Sequence, residues 1–210
     1  MKIEVKNLSK QFKGVTILDN VNATFKEGNI YGLIGRNGSG KSVFLKILCN
    51  FYSPSDGEVL YDGINIFKEN TFPPETRALI EKPAFLPDIT GFENLKMLAT
   101  IQQIIGDDEI LDALEKVNLI EDKDKKYKVY SLGMKQKLGI AQVIMENPKV
   151  LILDEPFNGI EDATASKLRK LLKEEAKKGK IVIVASHIKE DIINLANVTY
   201  KFDGGKVTKI

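Results

Sequence analysis

Apolar and charged residues alternate at the start of the chain, which is the pattern of β-strands with one exposed face. Ile3 and Val5 alternate with charged neighbours, and residues 21–25 repeat the pattern. A Glu-Gly pair leads into an apolar run at 30–34, and an apolar helix pattern follows at 43–49. We therefore predict two antiparallel strands, a buried strand and a helix, in that order.

The next segment is rich in turn residues. Residues 57–61 and 64–67 predict two short strands, which an Asp-Gly pair separates. Residues 68–76 are polar and contain two prolines, so we predict a surface loop there. A further apolar triplet at 78–80 ends at Glu81 and indicates another short strand.

From Gly91 onward the apolar residues recur at steps of three and four, which is the spacing of amphipathic helices. We predict three helices here, the last of which begins near Gly133. Their apolar positions are Phe92, Leu95, Leu98, Ile101 and Ile105 in the first, Ile110, Leu111, Leu114 and Val117 in the second, and Leu138, Ala141 and Met145 in the third. The charged run at 121–128 is interpreted as a solvated connector between the second and third helices.

Two short apolar runs in the last third of the chain, at 150–153 and 181–185, show no polar alternation. Such runs are typical of strands that are covered on both faces. Between them we predict a helix at 163–178 that Gly179 ends. A second, shorter helix is predicted at 188–196.

The chain closes with a predicted hairpin of strands at 198–202 and 206–210. The pattern as a whole predicts one mixed α/β domain. Residues 1–82 and 147–210 are predicted to form an α/β core with an antiparallel β region. Residues 83–146 are predicted to form a helical subdomain inserted into that core.

Composition narrows the function classes. The 210 residues carry 31 basic and 29 acidic side chains, a formal charge of +2, so bulk charge gives no reason to expect a nucleic acid or an anionic membrane as partner. Cys49 is the only cysteine, which excludes an intramolecular disulfide and a Cys-based zinc site. No apolar stretch approaches the roughly 18 residues of a membrane span, and the alternating start is unlike a signal peptide. We expect a cytoplasmic protein.

Residues 35–42 read GRNGSGKS and fit the phosphate-binding pattern G-x-x-x-x-G-K-[ST]. They follow a strand pattern and open a helix pattern, which is the context that this motif requires. The glycines let successive backbone N–H groups turn toward one anion, and the helix N-terminus adds a partial positive charge. Lys41 is expected to reach the β- and γ-phosphates of a nucleotide, and the Ser42 hydroxyl is expected to coordinate Mg²⁺.

Asp154 and Glu155 follow the apolar run at 150–153. A carboxylate at the end of a buried strand can hold Mg²⁺ through water, and a second carboxylate beside it can polarise an attacking water. A pair of exposed acids at a strand end is the alternative. The phosphate-binding loop upstream favours the catalytic interpretation.

Five segments resemble, in order, those of the nucleotide-binding domain of an ATP-binding cassette (ABC) ATPase. They are GRNGSGKS at 35–42, a loop centred on Glu81, YSLGMKQ at 130–136, VLILDEP at 150–156 and ASH at 185–187. The resemblance covers essentially the whole chain. It implies an α/β fold with a P-loop NTPase (RecA-like) core, an antiparallel β subdomain and an inserted α-helical subdomain.

The resemblance also implies roles for residues outside the phosphate-binding loop. Phe12 matches the aromatic residue that stacks on adenine, with core packing as its alternative. Glu81 stands where the family usually has a glutamine that senses Mg²⁺ and the γ-phosphate, with a plain surface role as its alternative. His187, the only histidine, matches the residue that hydrogen-bonds the γ-phosphate. Ser131 and Gly133 match signature residues that face the ATP of a second subunit, although Ser131 is also a good helix N-cap.

Four positions depart from the commonest pattern of this family. Glu81 replaces the glutamine, Leu132 the first signature glycine, Met134 the signature glutamine, and Glu161 the aspartate of the D-loop at 158–162. Glu81 and the residues after it resemble exporters of the bacitracin and lantibiotic type.

The resemblance therefore implies a Mg²⁺-dependent ATPase subunit of an exporter for drug, peptide or antibiotic-like substrates. Two such subunits, most simply a homodimer, would sandwich ATP head to tail beside a separately encoded membrane permease on the cytoplasmic face of the membrane, with no nucleic acid as partner. The predicted ATP-binding residues are Phe12, Gly35, Arg36, Asn37, Gly38, Ser39, Gly40, Lys41, Ser42, Val43, Glu81, Ser131 and Gly133; the predicted metal ligands are Ser42, Asp154 and Glu81; the predicted catalytic residues are Lys41, Glu155 and His187. The alternatives are a soluble ABC ATPase that acts outside transport, as an assembly scaffold or regulatory subunit, and a nucleotide-binding subunit with little turnover.

Overall fold

Ten strands in two sheets and six helices build the protein, and the computed structural model describes residues 1–210. In chain order the elements are β1 (Lys2–Phe12), β2 (Val15–Lys26), β3 (Asn29–Ile34), α1 (Lys41–Leu48), β4 (Asp56–Tyr61), β5 (Ile64–Asn65), β6 (Thr76–Leu79), α2 (Gly91–Gln102), α3 (Asp107–Lys116), α4 (Leu132–Ile144), β7 (Val150–Asp154), α5 (Asp162–Lys177), β8 (Ile181–Ser186), α6 (Lys189–Ile193), β9 (Val198–Asp203) and β10 (Lys206–Lys209). Two 3₁₀ turns, Ile120–Asp122 and Tyr127–Val129, lie between α3 and α4. None of the helices is both long enough and apolar enough to span a membrane.

The smaller sheet is antiparallel, with the strand order β2-β1-β4-β5. In its strand β1 the alternating residues point to opposite faces: Ile3 and Val5 are buried, whereas Lys2 and Lys6 are exposed. The sheet therefore has one face on the core and one face toward solvent.

The larger sheet has six strands in the order β10-β9-β3-β8-β7-β6. Each neighbouring pair is parallel except β9 and β10, which form the predicted closing hairpin. Every residue of β7 and β8 is buried, as the two continuous apolar runs predicted. Because β3, β8 and β7 are parallel neighbours, the residues that follow them meet at one edge of the sheet.

Two hydrophobic clusters cover the two faces of the larger sheet. One cluster fills the space between the two sheets and surrounds α1, where Phe44 packs against Phe25 and Phe202. The other joins the opposite face to α4 and α5 and continues into α2 and α3. The helices of the middle segment therefore share a core with the sheet.

Helices α2, α3 and α4 are inserted between two adjacent strands. β6 and β7 pair in parallel, with Leu79 opposite Leu153, and the three helices occupy the chain between them. All three helices lie within residues 83–146, the predicted helical subdomain. Its boundaries at 83 and 146 stay a prediction.

Two predicted elements are shorter in the structure than in the sequence pattern. The strand expected at 64–67 ends at Asn65, because the Asn65 side chain accepts a hydrogen bond from the Phe67 N–H at 3.0 Å and turns the chain. The helix expected at 188–196 is confined to Lys189–Ile193.

The helical segment shows two further differences. Ile101 was predicted on the packed face of α2, but it is 76% exposed, while Leu95 and Ala99 are buried. The charged connector buries Tyr127, whose hydroxyl donates to the Pro83 carbonyl at 2.8 Å. The connector is therefore tied to the loop that follows β6.

Candidate functional site

The residues predicted to bind phosphate and to act in catalysis lie at the carboxyl ends of three adjacent strands. Loop 35–42 follows β3, Asp154 and Glu155 lie at the end of β7, and His187 follows β8. Since β8 lies between β3 and β7, the loop, the two carboxylates and the imidazole meet along one edge of the larger sheet.

Loop 35–42 forms one wall of a cavity of about 290 Å³. Gly38 and Gly40 have φ angles of +79° and +101°, which residues with a Cβ rarely adopt. A Cβ on Gly40 would also lie 2.9 Å from Leu18 Cδ2, so this glycine lets β2 approach the loop. The cavity is lined by Ile17, Asn37, Gly38, Ser39, Gly40, Lys41, Ser42, Val43, Asp154 and Glu155.

Lys41 is folded back onto the loop. Its Nζ donates to the carbonyl oxygens of Gly35 at 2.7 Å and Arg36 at 3.3 Å. Gly35 and Arg36 therefore act on the site through their backbone. Burial lowers the pKa of Lys41, and the charges of Glu155 and Asp154 oppose that shift. A buried ammonium held only by neutral carbonyls can exchange them for phosphate oxygens, which would compensate its charge.

Asp154 presents an unpaired oxygen at the floor of the cavity. Ser42 Oγ donates to Asp154 Oδ2 at 2.6 Å, whereas Oδ1 is buried without a hydrogen-bond partner. Burial raises the pKa of Asp154, and the hydrogen bond from Ser42 works in the opposite direction. A carboxylate that is both buried and half-satisfied is a natural partner for a cation or a bound water.

Glu155 is the most tightly held carboxylate of the site. His187 donates to Glu155 Oε1 through its backbone N–H at 2.9 Å and through its ring Nδ1 at 2.8 Å, with the ring proton on Nδ1 because a carboxylate accepts. Ser186 Oγ donates to Oε2 at 3.2 Å, and Gln136 Nε2 donates to the Glu155 carbonyl at 3.1 Å. Glu155 itself has a φ of +48°, an uncommon conformation that these bonds hold in place.

Sequence reasoning missed three residues of this arrangement: Ile17, Ser186 and Gln136. Ile17 lines the cavity from β2, and it reads in the sequence as one more alternating strand residue. Ser186 and Gln136 are both buried polar residues, and a buried polar group needs a partner. The sequence signal for Ser186 was its place at the end of the apolar strand β8. Gln136 was visible only as a polar residue inside YSLGMKQ.

The hydroxyl of Ser186 lies next to a partly buried ion pair. Asp191 Oδ2 lies 3.4 Å from Ser186 Oγ, and Asp191 Oδ1 accepts from Arg169 Nη2 at 2.6 Å. The Arg169 guanidinium in turn stacks over the Phe157 ring at 4.8 Å from its centroid. The residues that hold Glu155 are thus anchored to both α5 and α6.

Ser131 and Gly133 line a different cavity, of about 230 Å³, together with Gly159 and Glu161 of the D-loop. Ser131 is the N-cap of α4, as predicted, and its hydroxyl accepts from the Met134 N–H at 3.2 Å. A Cβ on Gly133 would lie 2.6 Å from the Gly159 carbonyl oxygen, so the helix start packs directly on the D-loop. The single chain does not bring these residues to its own phosphate-binding loop.

Phe12 and Glu81 also lie outside the lining of the phosphate-loop cavity. The Phe12 ring packs edge to face on Tyr52, with the centroids 5.4 Å apart, and Lys10 Nζ lies 4.7 Å from the Phe12 centroid. Glu81 follows β6 with a φ of +65°, and its Oε1 accepts from Lys46 Nζ at 2.5 Å. Their assignments to adenine and to Mg²⁺ stay predictions.

Comparison with known proteins identifies relatives over nearly the full length of the chain. A protein of Bacillus subtilis (strain 168) described as an uncharacterized ABC transporter ATP-binding protein, YybJ, is 41% identical over 98% of this chain and 94% of its own length. The bacitracin transport ATP-binding protein BcrA of Enterococcus faecalis is 40% identical over 93% of this chain, which spans only 64% of BcrA. The lantibiotic transport ATP-binding protein SrtF of Streptococcus pyogenes is 33% identical over 98% of this chain and 88% of its own length.

A solved structure establishes the fold independently. The dimeric structure of the ATP-binding cassette MJ0796 in a post-hydrolysis state, bound to ADP and Pi, matches 99% of this chain and 97% of that chain with a TM-score of 0.89. The sequence identity is 23%, so this likeness speaks for the fold alone. It confirms the predicted P-loop NTPase fold class with an antiparallel sheet and inserted helices.

The family itself is settled by sequence. The family model described as ABC transporter matches residues 18–158, which include the phosphate-binding loop, the start of α4 and the acidic end of β7. With that match and with the relatives above, the chain belongs to the ABC transporter family, in which it is an ATP-binding cassette with ATPase activity.

Proposed function

We propose that the chain is the ATPase subunit of an exporter for drug, peptide or antibiotic-like substrates. In this proposal it works as a head-to-tail pair of cassettes bound to a separate membrane permease. The relatives named for bacitracin and lantibiotic transport support the substrate class. Two surfaces of this chain support the pairing and the permease.

One observation carries the proposal: the phosphate-loop cavity and the signature cavity are separate in one chain. The first holds Lys41, Asp154 and Glu155. The second holds Ser131 and Gly133 at the N-terminus of α4, where Ser131 is exposed. A helix N-terminus with an exposed hydroxyl suits an anion, and the phosphate loop of the same chain does not line this cavity. A two-fold pairing would bring each signature cavity onto the other subunit's phosphate loop and complete two sites.

The residues of the phosphate-loop cavity fit a Mg²⁺ ion beside the nucleotide. Ser42 Oγ and the unpaired Asp154 Oδ1 are the oxygen donors that would hold it, directly or through water, and Glu81 stays a predicted contributor. When bound, Mg²⁺ neutralises charge on the β- and γ-phosphates. Lys41 would leave its two carbonyl partners to bind phosphate oxygens.

Glu155 and His187 would organise the attacking water. Glu155 is held by the His187 N–H, the His187 ring and Ser186, so its carboxylate is fixed before nucleotide arrives. A fixed carboxylate can accept a proton from water as the terminal phosphate is transferred. His187 can then change partners, from Glu155 to the γ-phosphate, because its side chain is accessible to solvent.

A groove that contains exposed apolar side chains is the proposed binding surface for the permease. The groove has a volume of about 590 Å³ and is lined by Phe51, Phe72 and Ile104, all of them exposed. Phe72 is 76% exposed, and Phe51 and Ile104 of the same groove are each 60% exposed, so the exposed apolar side chains form a group. Arg77 and Glu146 form an ion pair at the same groove. An amphipathic cytoplasmic segment of a membrane protein would cover the apolar residues and pair with the polar ones.

Complementation between two inactive variants tests the paired arrangement. Ser131→Arg blocks the signature cavity and Lys41→Ala disables the phosphate loop, so each variant alone has no intact composite site. In a mixed pair, one site combines the intact phosphate loop of the first with the intact signature of the second. We expect the mixture to recover a substantial part of wild-type ATPase activity. If the mixture stays as inactive as each variant at concentrations where pairs form, the shared-site proposal is wrong.

Recovery from membranes tests the permease. Tagged wild-type chain, expressed in its own host and purified from detergent extracts, should carry a protein with several membrane spans. Phe51→Ser with Phe72→Ser should lose that protein but keep ATPase activity. Ile193→Ser is the matched control, because Ile193 is equally exposed but lies on α6. Equal recovery by all three, or a soluble partner in place of the membrane protein, would contradict the proposed docking.

A further inference from the structure

The ion pair between Lys46 and Glu81 links α1 to the loop that follows β6. Lys46 Nζ lies 2.5 Å from Glu81 Oε1, and the two residues are 35 positions apart in the chain. The Lys46 side chain is only 20% exposed, whereas that of Glu81 is 62% exposed. The buried partner is therefore the cation, and the carboxylate reaches toward it from the surface.

One face of α1 holds two carboxylates at the edge of the nucleotide site. Ser42 and Lys46 are one helical turn apart and thus lie on the same face. Ser42 donates to Asp154, and Lys46 donates to Glu81. Asp154 is the last residue of β7, and Glu81 comes two residues after the parallel neighbour β6, in which Leu79 pairs with Leu153.

Glu81 and Glu155 occupy corresponding positions after the last recorded pair of β6 and β7. Each glutamate comes two residues after a member of the Leu79–Leu153 pair. Together with Asp154, three carboxylates therefore lie along this edge, and Lys41 is the cation within the cavity.

A second contact fixes the Lys46 ammonium. Lys46 Nζ lies 5.3 Å from the ring centroid of Tyr52, within range of a cation–π interaction. Tyr52 in turn packs edge to face on Phe12. The ammonium is thus held between an aromatic face and a carboxylate, and it has little freedom to leave Glu81.

We infer that Lys46 is a positioning residue for Mg²⁺-ATP: it holds Glu81 in place and cancels its negative charge, so that a glutamate at this position does not repel the γ-phosphate. The inference rests on the proposed function, in which Glu81 faces the nucleotide. A neutral glutamine at position 81 would need no such cation, whereas Glu81 does. Because only ATP carries a γ-phosphate, removal of Lys46 should affect ATP more than ADP.

A double-mutant cycle on Lys46→Met and Glu81→Gln tests the inference. Binding of Mg²⁺ complexes of ADP and of AMP-PNP, an ATP analogue that is not hydrolysed, is measured by calorimetry. Lys46→Met should weaken AMP-PNP binding by about 10-fold and ADP binding by less than about 3-fold. In the Glu81→Gln background the same Lys46→Met change should alter AMP-PNP binding by less than about 2-fold, because no charge remains to be cancelled.

The chain provides a matched control. Lys96 also combines an ion pair, with Asp107 at 2.8 Å, and a ring contact, with Phe92 at 5.7 Å from the centroid. Lys96→Met should leave both nucleotide affinities unchanged, while Lys46→Arg should keep the ratio of AMP-PNP to ADP affinity.

Three results would overturn the inference. An equal loss from Lys46→Met in both backgrounds would make Lys46 a purely structural residue, and an equal loss for ADP and AMP-PNP would exclude an effect on the γ-phosphate. No loss at all would remove Lys46 from the site. None of these results would touch the paired arrangement, which the mixture of Ser131→Arg and Lys41→Ala decides separately.

Discussion

The phosphate-loop cavity and the signature cavity are built on opposite principles. In the first, Lys41, Asp154 and Ser186 are almost fully buried, and Glu155 accepts three hydrogen bonds at its carboxylate. In the second, Ser131 is exposed, and the one hydrogen bond of its side chain is the cap of its own helix.

This difference fits the proposed pairing, in which the phosphate-loop cavity carries the chemistry and the signature cavity faces a partner. A carboxylate that must act on water is fixed by its neighbours in advance, since reorganisation during the reaction would raise the barrier. A surface that must meet another molecule is left accessible. The start of α4 also rests on the D-loop, where Leu132 and Gly133 approach Gly159 closely. The signature cavity is therefore in contact with the D-loop, which follows Glu155 in the chain.

The largest effect on turnover should come from a change in the phosphate-loop cavity. Glu155→Gln keeps the shape of the side chain but removes its ability to accept a proton, so turnover should fall by roughly 10²–10⁴-fold. Binding of ATP and ADP should remain. Steady-state ATPase assays with calorimetric binding check both statements. Glu190→Gln, at an exposed position of α6, is the control and should retain wild-type turnover. Undiminished turnover of Glu155→Gln would take Glu155 out of the base role.

A change in the signature cavity should lower ATPase activity in a way that the loss of a helix cap alone does not explain. Ser131→Ala removes an N-cap, which costs about 1 kcal/mol of stability. Thr90→Ala removes the N-cap of α2 and should cost a similar amount. Only Ser131→Ala should also lower ATPase activity, by about 10-fold, because its hydroxyl would serve the partner's phosphate. Melting curves and ATPase assays of the two variants compare these roles directly. Equal activities would leave Ser131 as a helix cap only.

The smallest effect concerns the stability of the buried half. The folded-state pKa of Asp154 is raised, chiefly by burial. An acid with a raised pKa contributes stability below its unfolded-state pKa, and that contribution is lost as the pH rises through the folded-state pKa. At neutral pH the ionised Asp154 therefore destabilises the nucleotide-free fold.

Asp154→Asn should consequently stabilise the protein without nucleotide by about 1 kcal/mol. For a chain of this length that corresponds to a melting temperature about 2–4 °C higher at pH 7. The same variant should lose the extra stabilisation that Mg²⁺-ATP gives to the wild type. Asp203→Asn, at an exposed carboxylate, should change neither value. A lower melting temperature for Asp154→Asn would contradict the assigned cost of this buried carboxylate.

Most of the phosphate-loop cavity could be predicted from the sequence, because local patterns determine its loop and strands. Glycines at 38 and 40 are needed by a loop with positive φ, and continuous apolar runs indicate the buried strands that end at Asp154 and Ser186. Because the carboxyl ends of parallel strands lie at one edge of a sheet, loop 35–42 can be placed beside the carboxylates from these strands.

The contacts that complete the site were not readable in the same way. Gln136 reaches the Glu155 carbonyl across 19 positions, Ser186 reaches its carboxylate across 31, and Lys46 reaches Glu81 across 35. No local spacing encodes such contacts, since they depend on how β6, β7 and β8 align. Helical periodicity also predicted Ile101 as buried, because it measures amphipathicity and not whether a face is covered by the same chain.

The most direct test of the paired site is the mass of Glu155→Gln in solution with and without ATP, measured by light scattering after gel filtration. We expect a monomer without nucleotide or with ADP and a dimer with Mg²⁺-ATP, since the bound ATP is no longer hydrolysed. Adding Ser131→Arg to the same variant should restore the monomer while ATP binding persists. A monomer with saturating Mg²⁺-ATP, or a dimer that forms equally well with Ser131→Arg, would contradict the claim that each chain completes the other's site.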